Sequence, residues 1–231
     1  MPSRTLKLAA ALLLLLASNL TAAGAHRQAC LRIFHPACSQ ADAEEVLAAV
    51  AGASALLEAH CGIGLSVTAW VALPLDSGWC HLPAAPSDRG VALRQLARQA
   101  KAAQPRDLAL FLLPSDADPR ISWALVDDSL RSACDSPQEA RFLDRFGSFF
   151  FTDLSWMDGG SPHDTAPSRA ALLVAHEVLH SLTQRAHPTG VGAGQVMADH
   201  VADLGPQVGA DWCACALQSP YLQPLSPRTK P

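Results

Sequence analysis

The stretch SRAALLVAHEVLHSLT, residues 168–183, governs the reading of the whole chain. Leu172, Leu173, Val174, Val178, Leu179 and Leu182 spread around the helical circumference, so the segment is expected as an α-helix buried on most sides. Set into that apolar surface is His176-Glu177-Val178-Leu179-His180, an HExxH pattern. Residues four apart share one helix face, which lets His176 and His180 direct two imidazole nitrogens at one metal ion. Buried polar side chains are costly without a partner, and a metal ion supplies one. With nine His and five Glu in 231 residues the pattern arises by accident about 0.008 times, so the motif is read as chemistry.

Glu177 is then the expected general base. Its carboxylate takes a proton from a metal-bound water and passes it to a leaving amine, which points to peptide-bond hydrolysis with Zn2+ as cofactor. A catalytic zinc takes a third protein ligand and keeps one position open. No Glu follows Glu177, which excludes a downstream glutamate ligand and leaves His187, Asp199, His200, Asp203 and Asp211. His187 is the expected ligand: it lies just before Pro188, where the helix has ended and a turn can swing the ring back. His200 and Asp199 are the alternatives.

Outward from this helix the chain alternates between strand and helix patterns. Ala29 to Phe34 reads as a first strand, and Ser39 as the cap of an amphipathic helix from about Ala41 to His60 that Cys61-Gly62 ends. Ile63 to Leu73 reads as a second strand, Pro74 to Asp88 as a loop, Val91 to Ala103 as a helix and Asp107 to Leu113 as a buried strand. An edge strand is expected within Ile121 to Val126. A capping box at Ser136-Pro137-Gln138-Glu139 opens a helix to about Phe146, and Phe149-Phe150-Phe151 forms a late strand. Beyond the HExxH segment, Pro206 to Gln218 is a closing helix with Trp212, Ala216 and Leu217 apolar, fastened by Cys213 and Cys215. This order predicts an α/β class with a mixed sheet covered by helices.

At His176, Glu177, His180, His187 and Met197 the chain resembles the metzincin clan of zinc metallopeptidases. The signature of that clan is HExxHxxGxxH followed by a methionine in a tight turn, and Met197 stands within Gly194-Gln195-Val196-Met197-Ala198-Asp199-His200. His187 falls one residue later than the third histidine of the signature, because Ala186 occupies that place. Thr183 stands where the signature has glycine, and a β-branched residue suits a left-handed turn poorly. The turn is therefore expected at Gln184 and Arg185. The resemblance implies a zincin-like α/β (α+β) fold, a mixed twisted sheet with the HExxH helix and a small C-terminal subdomain. It further implies Zn2+ on His176, His180 and His187, Met197 beneath the metal, and a peptide or protein substrate. A scaffold that keeps the site for metal or protein binding without catalysis is the alternative, and the intact Glu177 speaks against it.

Composition limits the remaining classes. A formal charge of −4 excludes a nucleic-acid footprint and a polybasic membrane patch, and 49% apolar against 16% charged residues is the balance of a folded chain. Met1 to Lys7 carries Arg4 and Lys7, Leu8 to Leu20 is uncharged and rich in Leu and Ala, and Ala23-Gly24-Ala25 fits a signal-peptidase site. Residues 1–25 are expected as a cleaved signal peptide too short to span a membrane. Residues 26–231 are then one exported catalytic domain, secreted or periplasmic, monomeric and without stable membrane insertion. Seven cysteines lie in the exported part, so three disulfides and one free thiol are expected, with connectivity open.

Overall fold

The computed structural model describes residues 27–114, 122–125, 147–152, 167–185, 193–198 and 203–224. The expected signal peptide and the capping-box helix lie outside those residues.

Strand β1, Arg27–Pro36, is the spine of the sheet. Its Ala29, Leu31 and Ile33 are fully buried on one face, while Phe34 faces the opposite side. Helix α1, Ala43–Cys61, begins at Asp42, whose carboxylate accepts from the amides of Glu44 and Glu45, so Asp42 and not Ser39 is the cap. Gly62 ends the helix in the left-handed region at φ 67°, and strand β2, Ile63–Leu73, then runs parallel to β1. The β1–β2 register slips between Leu31 and Arg32. There Thr68 donates its hydroxyl to the Leu31 carbonyl (3.3 Å) and to Asp107 (3.2 Å).

A short 3-10 turn, Gly78–Cys80, precedes helix α2, Pro86–Lys101. The helix starts earlier than the apolar periodicity suggested, because Pro86 occupies the first turn, where no amide donor is needed. Strand β3, Leu108–Leu112, pairs parallel to the other edge of β1. Strand β4, Ser122–Ala124, lies within the expected edge segment and pairs antiparallel with β5, Ser148–Phe151, which itself lies parallel to β3. The order is β2-β1-β3-β5-β4, an α/β arrangement with a mixed sheet. Helices α3, Arg169–Thr183, and α4, Ala210–Ala216, follow, and α4 is shorter than the closing helix expected from the sequence. Strand β6, Leu222–Pro224, pairs antiparallel with Arg27–Ala29 of β1, where β3 does not reach.

Two apolar layers hold the sheet. On one face Leu108, Leu110, Leu112, Phe149 and Phe151 meet α1 and α3; on the other Phe111 and Phe150 meet Trp79 and α2. Phe111 lies at the centre of the second layer, with ring centroids 4.3 Å from Trp79, 4.7 Å from Phe34 and 5.3 Å from Phe150. The triple phenylalanine thus serves both layers, as expected for a strand buried on both sides. Helix α3 comes very close to α1 at Gly52, where a Cβ would stand 2.7 Å from the Ala171 Cβ. Two disulfides join described residues: Cys38–Cys80 ties the turn after β1 to the 3-10 turn, and Cys61–Cys213 ties the end of α1 to α4. Cys215 is also disulfide-bonded, and Cys30 is the one free thiol among the described residues. Among the described residues no helix is long and apolar enough to cross a membrane.

Candidate metal centre

Ser168 caps α3 by accepting from the Ala171 amide, and every residue from Ala170 to Thr183 is buried. Three ionisable side chains interrupt this buried span: His176, Glu177 and His180, at 5%, 3% and 4% exposure. The helical spacing brings the Nε2 atoms of His176 and His180 to 3.1 Å, with the rings edge to face. His176 Nδ1 lies 2.6 Å from the carbonyl of Val196, and His180 Nδ1 lies 2.6 Å from the carbonyl of Arg185. A carbonyl only accepts, so both Nδ1 atoms carry the proton and donate. With Nδ1 of each ring committed to a carbonyl, the two Nε2 atoms face each other at hydrogen-bond distance. A proton shared between them, or a cation held by both, satisfies that contact.

The fit to zinc can be tested on this distance. Two nitrogens sharing a tetrahedral zinc at about 2.0–2.1 Å stand roughly 3.3 Å apart, close to the observed pair. Backbone carbonyls holding the far nitrogens are also the usual support of metal-binding imidazoles, because they fix the tautomer and the ring plane.

Each carbonyl is itself placed by a turn. Thr183 stays helical and donates its hydroxyl to the Leu179 carbonyl at 2.7 Å. Gln184 takes the left-handed conformation at φ 56°, so the chain reverses there and at Arg185, as the missing glycine requires. Its amide side chain donates to the Ser181 carbonyl at 2.7 Å, which helps offset a conformation that costs a non-glycine residue roughly 1–2 kcal/mol. The second carbonyl belongs to the turn of Gln195 to Ala198, tied by Val196 N to the Gln207 carbonyl at 2.8 Å. Met197 follows Val196 there and is buried in the main core.

Glu177 points to the sheet edge, where its Oε1 accepts from the Ser122 hydroxyl on β4 at 2.7 Å. On the far side, Trp212 of α4 meets the His180 ring edge to face with centroids 5.9 Å apart. The Arg185 guanidinium lies over the same indole at 5.7 Å and pairs with Asp211 at 3.3 Å.

The structure therefore brings His176, Glu177 and His180 together. It does not supply a third ligand: no group of three or more His, Cys, Asp or Glu able to hold a metal ion occurs among the described residues. Asp211 is occupied by Arg185 and Asp203 is exposed, while His187, Asp199 and His200 lie outside the described residues. No family model matches the chain, and no curated protein matches it. The expected membership of the metzincin clan is thus overturned: the three-ligand centre on which it rested is not formed by the described residues. Sequence reasoning also missed Ser122 and the carbonyls of Arg185 and Val196. Main-chain acceptors carry no residue identity, and Ser122 reaches Glu177 only through the sheet.

Proposed function

We propose that this chain is an exported, zinc-dependent hydrolase of peptide bonds whose reacting centre is built on α3. The observation that carries the reading is the pair of Nε2 atoms 3.1 Å apart, each ring held by a carbonyl at its other nitrogen, with a buried carboxylate one residue along the helix. His176 and His180 would hold the ion, with a further ligand drawn from His187, Asp199 or His200. When bound there, zinc polarises a carbonyl oxygen and makes water more acidic at neutral pH. Glu177 accepts the proton of the attacking water and returns it to the leaving amine, so one carboxylate serves both halves of the reaction. Ser122 holds that carboxylate at the sheet edge, where an extended peptide can lie beside β4. Two disulfides support an oxidising compartment.

The test is hydrolysis of a fluorogenic peptide library by zinc-loaded protein and its Glu177→Gln variant. The reading expects hydrolysis that falls about a hundredfold or more in the variant. Equal rates remove Glu177 from the chemistry. Zinc bound at full occupancy without hydrolysis favours the alternative, a metal- or protein-binding scaffold.

A further inference from the structure

Trp212 lies in the shortest α-helix among the described residues, yet it touches the site twice. Its indole meets the edge of the His180 ring, and it carries the guanidinium of Arg185, the residue whose carbonyl receives the His180 Nδ1 proton. We propose that Trp212 is a positioning residue for His180, setting both the plane of the ring and the acceptor that fixes its tautomer. The inference rests on the reading of His180 as a metal ligand.

The indole can do this because it has little freedom of its own. Trp212 is 4% exposed and belongs to the main core, and the neighbouring Cys213 is bridged to Cys61 at the end of α1. Motion of α4 is thus tied to the helix against which α3 packs at Gly52. Arg185 follows Gln184, the one non-glycine residue with positive φ among the described residues, so its carbonyl stands at the end of a strained turn. A guanidinium over an indole is attracted by the ring quadrupole, which biases such a turn toward one geometry. The Asp211 carboxylate holds the same guanidinium from the exposed side. His176 touches His180 at Nε2, but its Nδ1 proton goes to Val196, not to Arg185. Its Nδ1–H signal therefore serves as the internal reference.

The experiment compares the full chain with Trp212→Leu and Trp212→Phe. Two quantities are read: the affinity for zinc alone, by chelator competition, and the two imidazole Nδ1–H resonances, by proton–nitrogen correlation spectra. For Trp212→Leu the expected result is a 10- to 100-fold loss of zinc affinity, the usual effect of removing support behind a ligand. The His180 Nδ1–H signal should be lost or broadened while that of His176 persists. Trp212→Phe, which restores an aromatic edge, should bring affinity back to within a few-fold of the parent and recover the His180 signal. An unchanged His180 signal and unchanged affinity in Trp212→Leu overturn the proposal. So does equal loss of both signals, which is the mark of a general packing role. A parent that takes up no zinc overturns the metal reading instead, and selective loss of the His180 signal then still supports the positioning role.

Discussion

The two disulfides between described residues differ chiefly in the length of chain they close, 152 residues for Cys61–Cys213 against 42 for Cys38–Cys80. Cross-linking removes conformations from the unfolded ensemble, and the chain-entropy estimate grows with the logarithm of loop length. At 25 °C it gives about 5 kcal/mol for the longer loop and about 4 for the shorter, a difference near 1.1 kcal/mol. Either value is a large part of the roughly 5–15 kcal/mol that holds a domain folded. The perturbation is Cys61→Ala with Cys213→Ala, set against Cys38→Ala with Cys80→Ala, both in a background with Cys30, Cys134 and Cys215 also replaced by Ala, so that each variant keeps one disulfide and no thiol that can reshuffle. Packing acts in the same direction, since Cys61 and Cys213 are buried and the other pair only partly so. Urea unfolding at 25 °C is the assay. At a slope near 2.5 kcal/mol per molar urea, the longer-loop variant should unfold about 0.4–0.5 M earlier than the shorter-loop one. Equal midpoints, or an earlier midpoint for the Cys38–Cys80 variant, would refute the loop-entropy argument.

Further expectations concern single residues. Ser122→Ala removes the hydroxyl that donates to Glu177 and should cost about 1–3 kcal/mol in denaturation, the range for depriving a buried acceptor of a donor, with Ser122→Thr recovering most of it. Gly147 has φ 74°, and a Cβ there would stand 2.6 Å from the Tyr221 ring, so Gly147→Ala combines a left-handed penalty with overpacking. About 2–5 kcal/mol should be lost, seen as a fall in Tm of several degrees or more; an unchanged Tm contradicts the close contact. Burial, reinforced by the charge of Asp107, raises the pKa of the Cys30 thiol. Its neutral form therefore stabilises the fold below the pKa of an unfolded thiol, about 8.5, and that contribution is lost as pH rises through the folded value. Alkylation of Cys30 by iodoacetamide at pH 8 should be slower than that of a free cysteine and should speed up in Asp107→Asn.

Much of this architecture is legible in the residues because its cues are local. The apolar spread of residues 168–183, the glycine after Cys61 and the triple phenylalanine each act within a few residues, and each marks the element the structure contains. Features set by partners distant in sequence are harder to read. Strand β6 is three residues long and exists because β1 extends beyond β3, which no pattern at Leu222–Pro224 announces. That Cys30 stays free while Cys61 pairs with Cys213 follows from which cysteines the helices bring together, not from spacing. At the candidate site His176, Glu177 and His180 were readable from helical spacing, whereas the supports of both imidazoles are main-chain oxygens. The metzincin resemblance is overturned because the described residues form no group of three ligands and no family model matches, while its third-ligand candidate His187 lies outside the described residues.

The central claim is that α3 holds a cation between His176 and His180. It is tested most directly by metal analysis of the full chain, purified without chelator and exchanged into metal-free buffer. The account predicts one zinc per chain in the parent and in Glu177→Gln, and less than about a tenth of that in His176→Ala and in His180→Ala, all four folded by circular dichroism. A folded parent that remains metal-free when supplied with zinc would contradict the claim, as would full zinc content in either histidine variant.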